Sequence, residues 1–224
     1  MVSRARNDVR FLFSVIPPLL IKLYDFGKIT GKVCNHMLTH CGTQKIESDR
    51  LLLRPFQYSD DDDMLAYWVS DPYIQTMLSE PVYSTKDEIK ALLDKYISSY
   101  PKEDYYRWAI IEKDSGVCIG QIAIFLVDSK NHFCETEYCI GSKFQRKGYC
   151  TEAVQKIIDY AFRSINIHKI QVCHKEHNLA SKGVIQKCGF TYEGTLRDFF
   201  FMDGKYVSRW YYSMLRSEWE ALLR

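Results

Sequence analysis

Two periodicities run along the chain, and together they lay out its elements. Residues 85–97 place Ile89, Leu92, Leu93, Tyr96 and Ile97 on one side, behind a Thr85 cap and acidic Asp87 and Glu88, which predicts an amphipathic helix. Residues 60–70 repeat the pattern with Met64, Leu65, Trp68 and Val69; the Asp60–Asp63 run reads as a solvated helix start. Residues 151–163 carry the longest stripe: Ala153, Val154, Ile157, Ile158, Ala161 and Phe162. Residues 178–187 and 217–223 are expected as two further helices. Between them lie apolar, β-branched and aromatic runs of strand length at 50–56, 105–113, 117–127, 133–140, 169–174, 190–199 and 206–215. Turns at Asp114-Ser115-Gly116 and Met202-Asp203-Gly204 predict hairpins. Antiparallel strands followed by strand–helix–strand units imply an α/β (α+β) domain, a mixed sheet with helices on both faces.

Composition narrows the class. With 46% hydrophobic and 26% charged residues, the 224-residue chain has the balance of a globular protein, which excludes disorder, collagen and coiled coil as its main architecture. Net charge is +2, unevenly spread: residues 1–36 hold six basic and two acidic side chains, the remainder 24 basic and 26 acidic. A main body without basic excess argues against a nucleic-acid partner. Eight scattered cysteines without a C-x-x-C pair read as reduced thiols of a cytosolic, cytoplasmic protein. Cys173, His174, His177, His132 and Cys134 lack zinc-site spacing, so no metal is expected.

Residues 1–36 differ from the rest. Residues 11–23 are apolar but broken by Pro17-Pro18, shorter than a membrane span, and not followed by a small-x-small cleavage site. Two readings stand. One is a surface-anchoring segment; the other is an upstream extension outside the native protein, with Met37 the natural start and 37–224 a single domain.

Chemistry concentrates in the stretch from Glu135 to Ala153. A strand runs through Gln145-Arg146-Lys147-Gly148-Tyr149-Cys150 directly into the 151–163 helix. A glycine turn at a helix start leaves backbone N–H groups unpaired at the positive end of the dipole, a ready pyrophosphate site. Gly148 lets the chain bend and approach phosphates closely, Arg146 and Lys147 add charge, and small Cys150 leaves room. A plain strand–helix turn is the competing reading. About thirty residues on, another strand enters Asn178-Leu179-Ala180-Ser181, with Asn178 fitting an N-cap and Gly189 ending the helix in a left-handed turn.

Q-x-x-G-x-C with T-E-A, then N-x-x-S and K-C-G-F, resembles the GNAT superfamily of acyl-CoA-dependent N-acetyltransferases. The nearest likeness is to its branch of ribosomal-protein N-terminal (Rim-type) acetyltransferases. Asp49-Arg50-Leu51-Leu52-Leu53-Arg54-Pro55, Arg107-Trp108-Ala109-Ile110, Asp203-Gly204-Lys205-Tyr206 and Tyr212-Ser213-Met214-Leu215 carry the likeness further, over residues 45–219. The resemblance implies the GNAT fold, a mixed and mostly antiparallel sheet of about seven strands, over a domain spanning 37–224. It implies acetyl-CoA as cosubstrate, its pyrophosphate on the amides of Gln145–Cys150 and its pantetheine along Tyr138, Cys139 and Ile140, where two strands splay apart.

The implied reaction is direct attack of a primary amine on the thioester through a tetrahedral intermediate. The acceptor would be a protein N-terminus or a small amine, the enzyme a monomer or homodimer without a membrane partner. Many members carry a tyrosine acid four residues after the Ser181 position; here that place is Ile185, which leaves Ser181 as the hydroxyl facing the sulfur. Glu135 occupies the strand position of a carboxylate that takes the amine proton through water, with Glu137 as a rival base where relatives have glycine. Ser208 stands where the branch has Asp. Tyr105 and Tyr106 are candidates for the acceptor cleft, while Trp108 reads as core. A non-catalytic acyl-CoA-binding module on the same fold is the alternative.

Overall fold

The molecule, described by a computed structural model over residues 37–224, is organised by one eight-stranded sheet. Its strands are β1 (Ile46–Glu47), β2 (Leu51–Arg54), β3 (Tyr106–Glu112), β4 (Cys118–Asp128), β5 (Phe133–Ile140), β6 (Lys169–Lys175), β7 (Thr191–Met202) and β8 (Lys205–Leu215). The spatial order is β1-β2-β3-β4-β5-β6-β8-β7. Every neighbouring pair is antiparallel except β5 and β6, which run parallel with a helix in the crossover. The sheet has one strand more than expected, because the two-residue β1 is too short to leave a periodic trace. The expectations for residues 1–36 lie outside the described residues.

Helices cover both faces. On one side lie α1 (Asp61–Met64), α2 (Pro72–Leu78) and α3 (Lys86–Ile97); the other carries α4 (Tyr149–Tyr160), α5 (Leu179–Lys187) and α6 (Arg216–Leu222). α4 buries Ala153, Val154, Ile157 and Ile158 against the sheet. Burying an aliphatic side chain such as Ile157 contributes about 1.5–3 kcal/mol, so this stripe anchors the loop that precedes it. On the opposite face Met64, Trp68, Ile89 and Leu93 close over Ala109, Ile111 and Cys139.

Capping sets the helix boundaries. Thr85 accepts from Glu88 N, and the Glu88 side chain accepts from Thr85 N, the reciprocal box that starts α3. Asp71 accepts from Tyr73 N and Ile74 N while Pro72 occupies the first helical position, which starts α2. The predicted 60–70 and 151–163 helices are each completed by a wider π-type turn, Leu65–Val69 and Ala161–Ile165.

Candidate active site

The loop between β5 and α4 has the expected geometry for holding an anion. Arg146 (φ +61°) and Gly148 (φ +86°) are both left-handed, which folds the chain into a concave run of amides. The first intrahelical bond of α4 joins Glu152 N to Gly148 O at 3.1 Å, so the amides of Tyr149, Cys150 and Thr151 have no partner among the described residues. A side chain at 148 would be strained at this φ and would meet the Arg50 guanidinium at 3.3 Å.

Arg50 is the loop's brace. It donates from Nη1 to Lys147 O at 2.9 Å and from Nε to Glu152 Oε2 at 2.7 Å. Its guanidinium also stacks over the Tyr149 ring at 4.6 Å. Burial alone would raise the Glu152 carboxyl, but hydrogen bonds from Ser48 and Arg50 outweigh it and hold the group below its usual range. Lys147 presents its carbonyl to Arg50 and its ammonium to the Phe144 ring; Gln145 turns its side-chain amide back to Ile140 O at 2.9 Å. The Gln145 amide is thus engaged within the protein, while the exposed Lys147 ammonium has no hydrogen-bond partner among the described residues.

The strands open where the resemblance placed the opening. β5 and β6 pair from Phe133↔Lys169 to Thr136↔Val172, and the pairing ends there. Beyond it β6 continues against β8 up to Lys175↔Arg209, while Tyr138 to Ile140 keep only β4 as a partner. The resulting cleft holds about 990 Å³ and runs from the anion loop to the C-terminal end of β6. Of the residues expected to hold the coenzyme all but Lys147 line it, as do Glu135 and Ser181.

α5 supplies the hydroxyl. Asn178 Oδ1 accepts from Ser181 N at 3.0 Å, confirming the N-cap, and Gly189 (φ +84°) follows the last turn. Ser181 therefore sits in the first turn of α5, facing the cleft, with the Tyr138 phenol 3.1 Å from its Oγ. Ile185, one turn further, is fully buried and offers nothing to the cleft.

At the other end of the cleft stands Glu135, 3% exposed. Its Oε1 accepts from Arg209 Nη2 at 2.5 Å and from the Cys173 thiol at 3.3 Å. Its second oxygen has no partner among the described residues. Glu137 pairs with Arg107 Nη2 at 2.7 Å and is committed there. Ser208 bonds through its backbone to Glu176, its carbonyl accepting from Glu176 N at 3.0 Å.

The aromatic pair 105/106 does not line the cleft. Tyr106 is buried, its hydroxyl 3.0 Å from His40 Nδ1, and Tyr105 packs edge-on against Tyr100. Trp108 is core, donating to Gln44 O at 2.6 Å. The walls come instead from Tyr73 and Met77 of α2 and Phe200 of β7. Lys175 fixes α2 there: its ammonium donates to Met77 O at 3.1 Å, Ser79 Oγ at 2.7 Å and Thr76 O. Burial lowers the Lys175 ammonium. Reading from sequence missed α2, although Asp71-Pro72 was a legible start signal.

Among the described residues no helix is long and apolar enough to cross a membrane, no His/Cys/Asp/Glu cluster could hold a metal ion, and the cysteines are free.

The opened β5–β6 pair leads directly into the amide-lined start of α4. The chain belongs to the GNAT acetyltransferases: residues 50–191 match the Acetyltransferase (GNAT) domain family. It is 27% identical over 176 residues to the uncharacterized N-acetyltransferase p20 of Bacillus licheniformis, covering 79% of this chain and 98% of that one. The spermidine N-acetyltransferase of Vibrio cholerae, solved with CoA and spermine, superposes with a TM-score of 0.67 at 23% identity, over 77% of this chain and 99% of its own. Ribosomal-protein-S5-alanine acetyltransferase from Vibrio fischeri does so with a TM-score of 0.68 at 21% identity, over 79% and 98%. These two likenesses are of fold, and the Rim-type branch that the motifs resemble is represented between them.

Proposed function

We propose that this protein transfers the acetyl group of acetyl-CoA to a primary amine. The observation that carries the reading is the continuity of the opened β5 edge with the amide nest at the start of α4. In this reading the amides of Gly148–Thr151 and the Arg146 side chain hold the pyrophosphate, while the free edge at Tyr138–Ile140 takes the pantetheine amides. Asn178 keeps Ser181 in place, and Ser181 faces the sulfur. Glu135 takes the amine proton through water at its free oxygen, Oε1 being occupied.

An aliphatic amine has a reference pKa near ~10, so it must be deprotonated before attack. Holding it in line with the thioester supplies much of the acceleration, about 7–11 kcal/mol in well-oriented systems. The leaving thiolate, with a pKa of roughly 8.5 by analogy with cysteine, needs one donor and no strong acid.

The acceptor end carries Arg209 and Lys175, against Glu135 and an already paired Glu137. That balance favours an amine bearing a single positive charge, such as a peptide N-terminus, over a polyamine. The free thiols among the described residues suit a reducing, cytoplasmic setting. A panel of N-terminal peptides, polyamines and amino compounds, scored by intact mass and thiol release from acetyl-CoA, tests the reading. Acceptor-dependent gain of one acetyl group is expected; tight coenzyme binding without thiol release on any amine would leave only a binding module.

A further inference from the structure

Ser181 Oγ has a single hydrogen-bond partner among the described residues, and it is the phenol of Tyr138. The same phenol lies 3.4 Å from the Ser181 backbone carbonyl. Either hydroxyl can donate across the 3.1 Å contact. In the arrangement in which the phenol donates to Ser181 Oγ, the Ser181 proton is left to turn into the cleft. Tyr138 reaches this spot because β5 has just parted from β6, two residues beyond the last pair. Burial pushes the Tyr138 phenol well up, so it stays protonated as a donor. In Ile185 the next turn of α5 offers no competing hydroxyl.

We infer that Tyr138 is a positioning residue: its phenol donates to Ser181 Oγ and so aims the Ser181 proton at the thioester sulfur. The inference rests on the acetyl-CoA reading above and adds a residue to it. In the step concerned, the amine nitrogen bonds to the acetyl carbon, the carbon–sulfur bond breaks, and its electron pair goes to sulfur. The amine proton leaves towards Glu135; the Ser181 O–H stabilises the thiolate by a hydrogen bond, and Tyr138 gives up no proton.

The test needs no acceptor. CoA and desulfo-CoA, which lacks the sulfur, are titrated calorimetrically at about pH 7 and about pH 9 into the wild type, Tyr138→Phe, Ser181→Ala and the double variant. A hydroxyl aimed at sulfur favours the bound thiolate, so the affinity ratio of CoA to desulfo-CoA should rise about tenfold across that range in the wild type. The ratio cancels any general loosening of the site. Ser181→Ala should abolish the rise, Tyr138→Phe should remove most of it, and the double variant should match Ser181→Ala. A wild-type rise in Tyr138→Phe, or a double variant clearly below Ser181→Ala, would overturn the role of Tyr138 alone. A wild type that binds neither ligand would overturn the coenzyme reading itself, and this inference with it.

Discussion

Arg50 donates to the carbonyl of Lys147 at 2.9 Å, across 97 residues of sequence. The contact ties the turn between β1 and β2 to the loop before α4, and the same guanidinium pairs with Glu152 in the first turn of that helix. The loop can therefore present its amides to a diphosphate without a carboxylate of its own repelling it. Arg50→Ala should weaken acetyl-CoA binding about tenfold in calorimetry. The exposed ion pair itself is worth only about 0–1 kcal/mol, so the melting temperature should fall by a few degrees at most.

Glu152 is one of the carboxylates that make the fold sensitive to acid. Its carboxyl titrates below the usual range in the folded chain, so the folded state binds its proton less readily than the unfolded state. The stability this contributes is complete above the unfolded value, about 4.3, and is lost as pH falls through the lower folded value. Urea titrations of Glu152→Gln should show a shallower loss of stability than wild type below about pH 4.5. Parallel curves would remove Glu152 from the acid-sensitive carboxylates.

Much of this frame is legible in the sequence, and the reasons differ by element. The α4 stripe and the α3 capping box are local signals that tertiary contacts do not alter. The β5–α4 loop, Asn178 and Ser181 lie at strand and helix ends that those signals bracket, which is why the sequence could single them out as candidates. It could not single out the brace, because Arg50 and Lys147 meet only once the sheet forms. Nor does periodicity sort Tyr106 and Trp108 between cleft and core: β3 is central and covered on both faces, so Trp108 to Ile111 are all buried and no alternation survives. α2 escaped because its seven residues bury only Ile74 and Gln75, too few to show a helical stripe.

Ser181→Ala tests the hydroxyl at the sulfur end. Turnover with acetyl-CoA and an accepted amine should fall about tenfold or more, with the affinity for acetyl-CoA within about twofold of wild type. Equal losses in both would make Ser181 a binding residue.

Glu135→Gln tests the acceptor end. The amide can still accept from Arg209 but takes no proton, so kcat should drop about 100-fold while the KM for acetyl-CoA holds. The largest deficit should come at the lower end of the pH range, where most amine is still protonated. Near-normal turnover there would move proton removal to bulk solvent.

Calorimetric titration of acetyl-CoA into wild type and Gly148→Asp tests the diphosphate cradle most directly. The substitution sets a side chain, a left-handed strain and a negative charge into the amide nest at φ +86°. Saturable binding to wild type and none to a Gly148→Asp protein of unchanged circular dichroism is the predicted outcome; equal affinities for the two would contradict it.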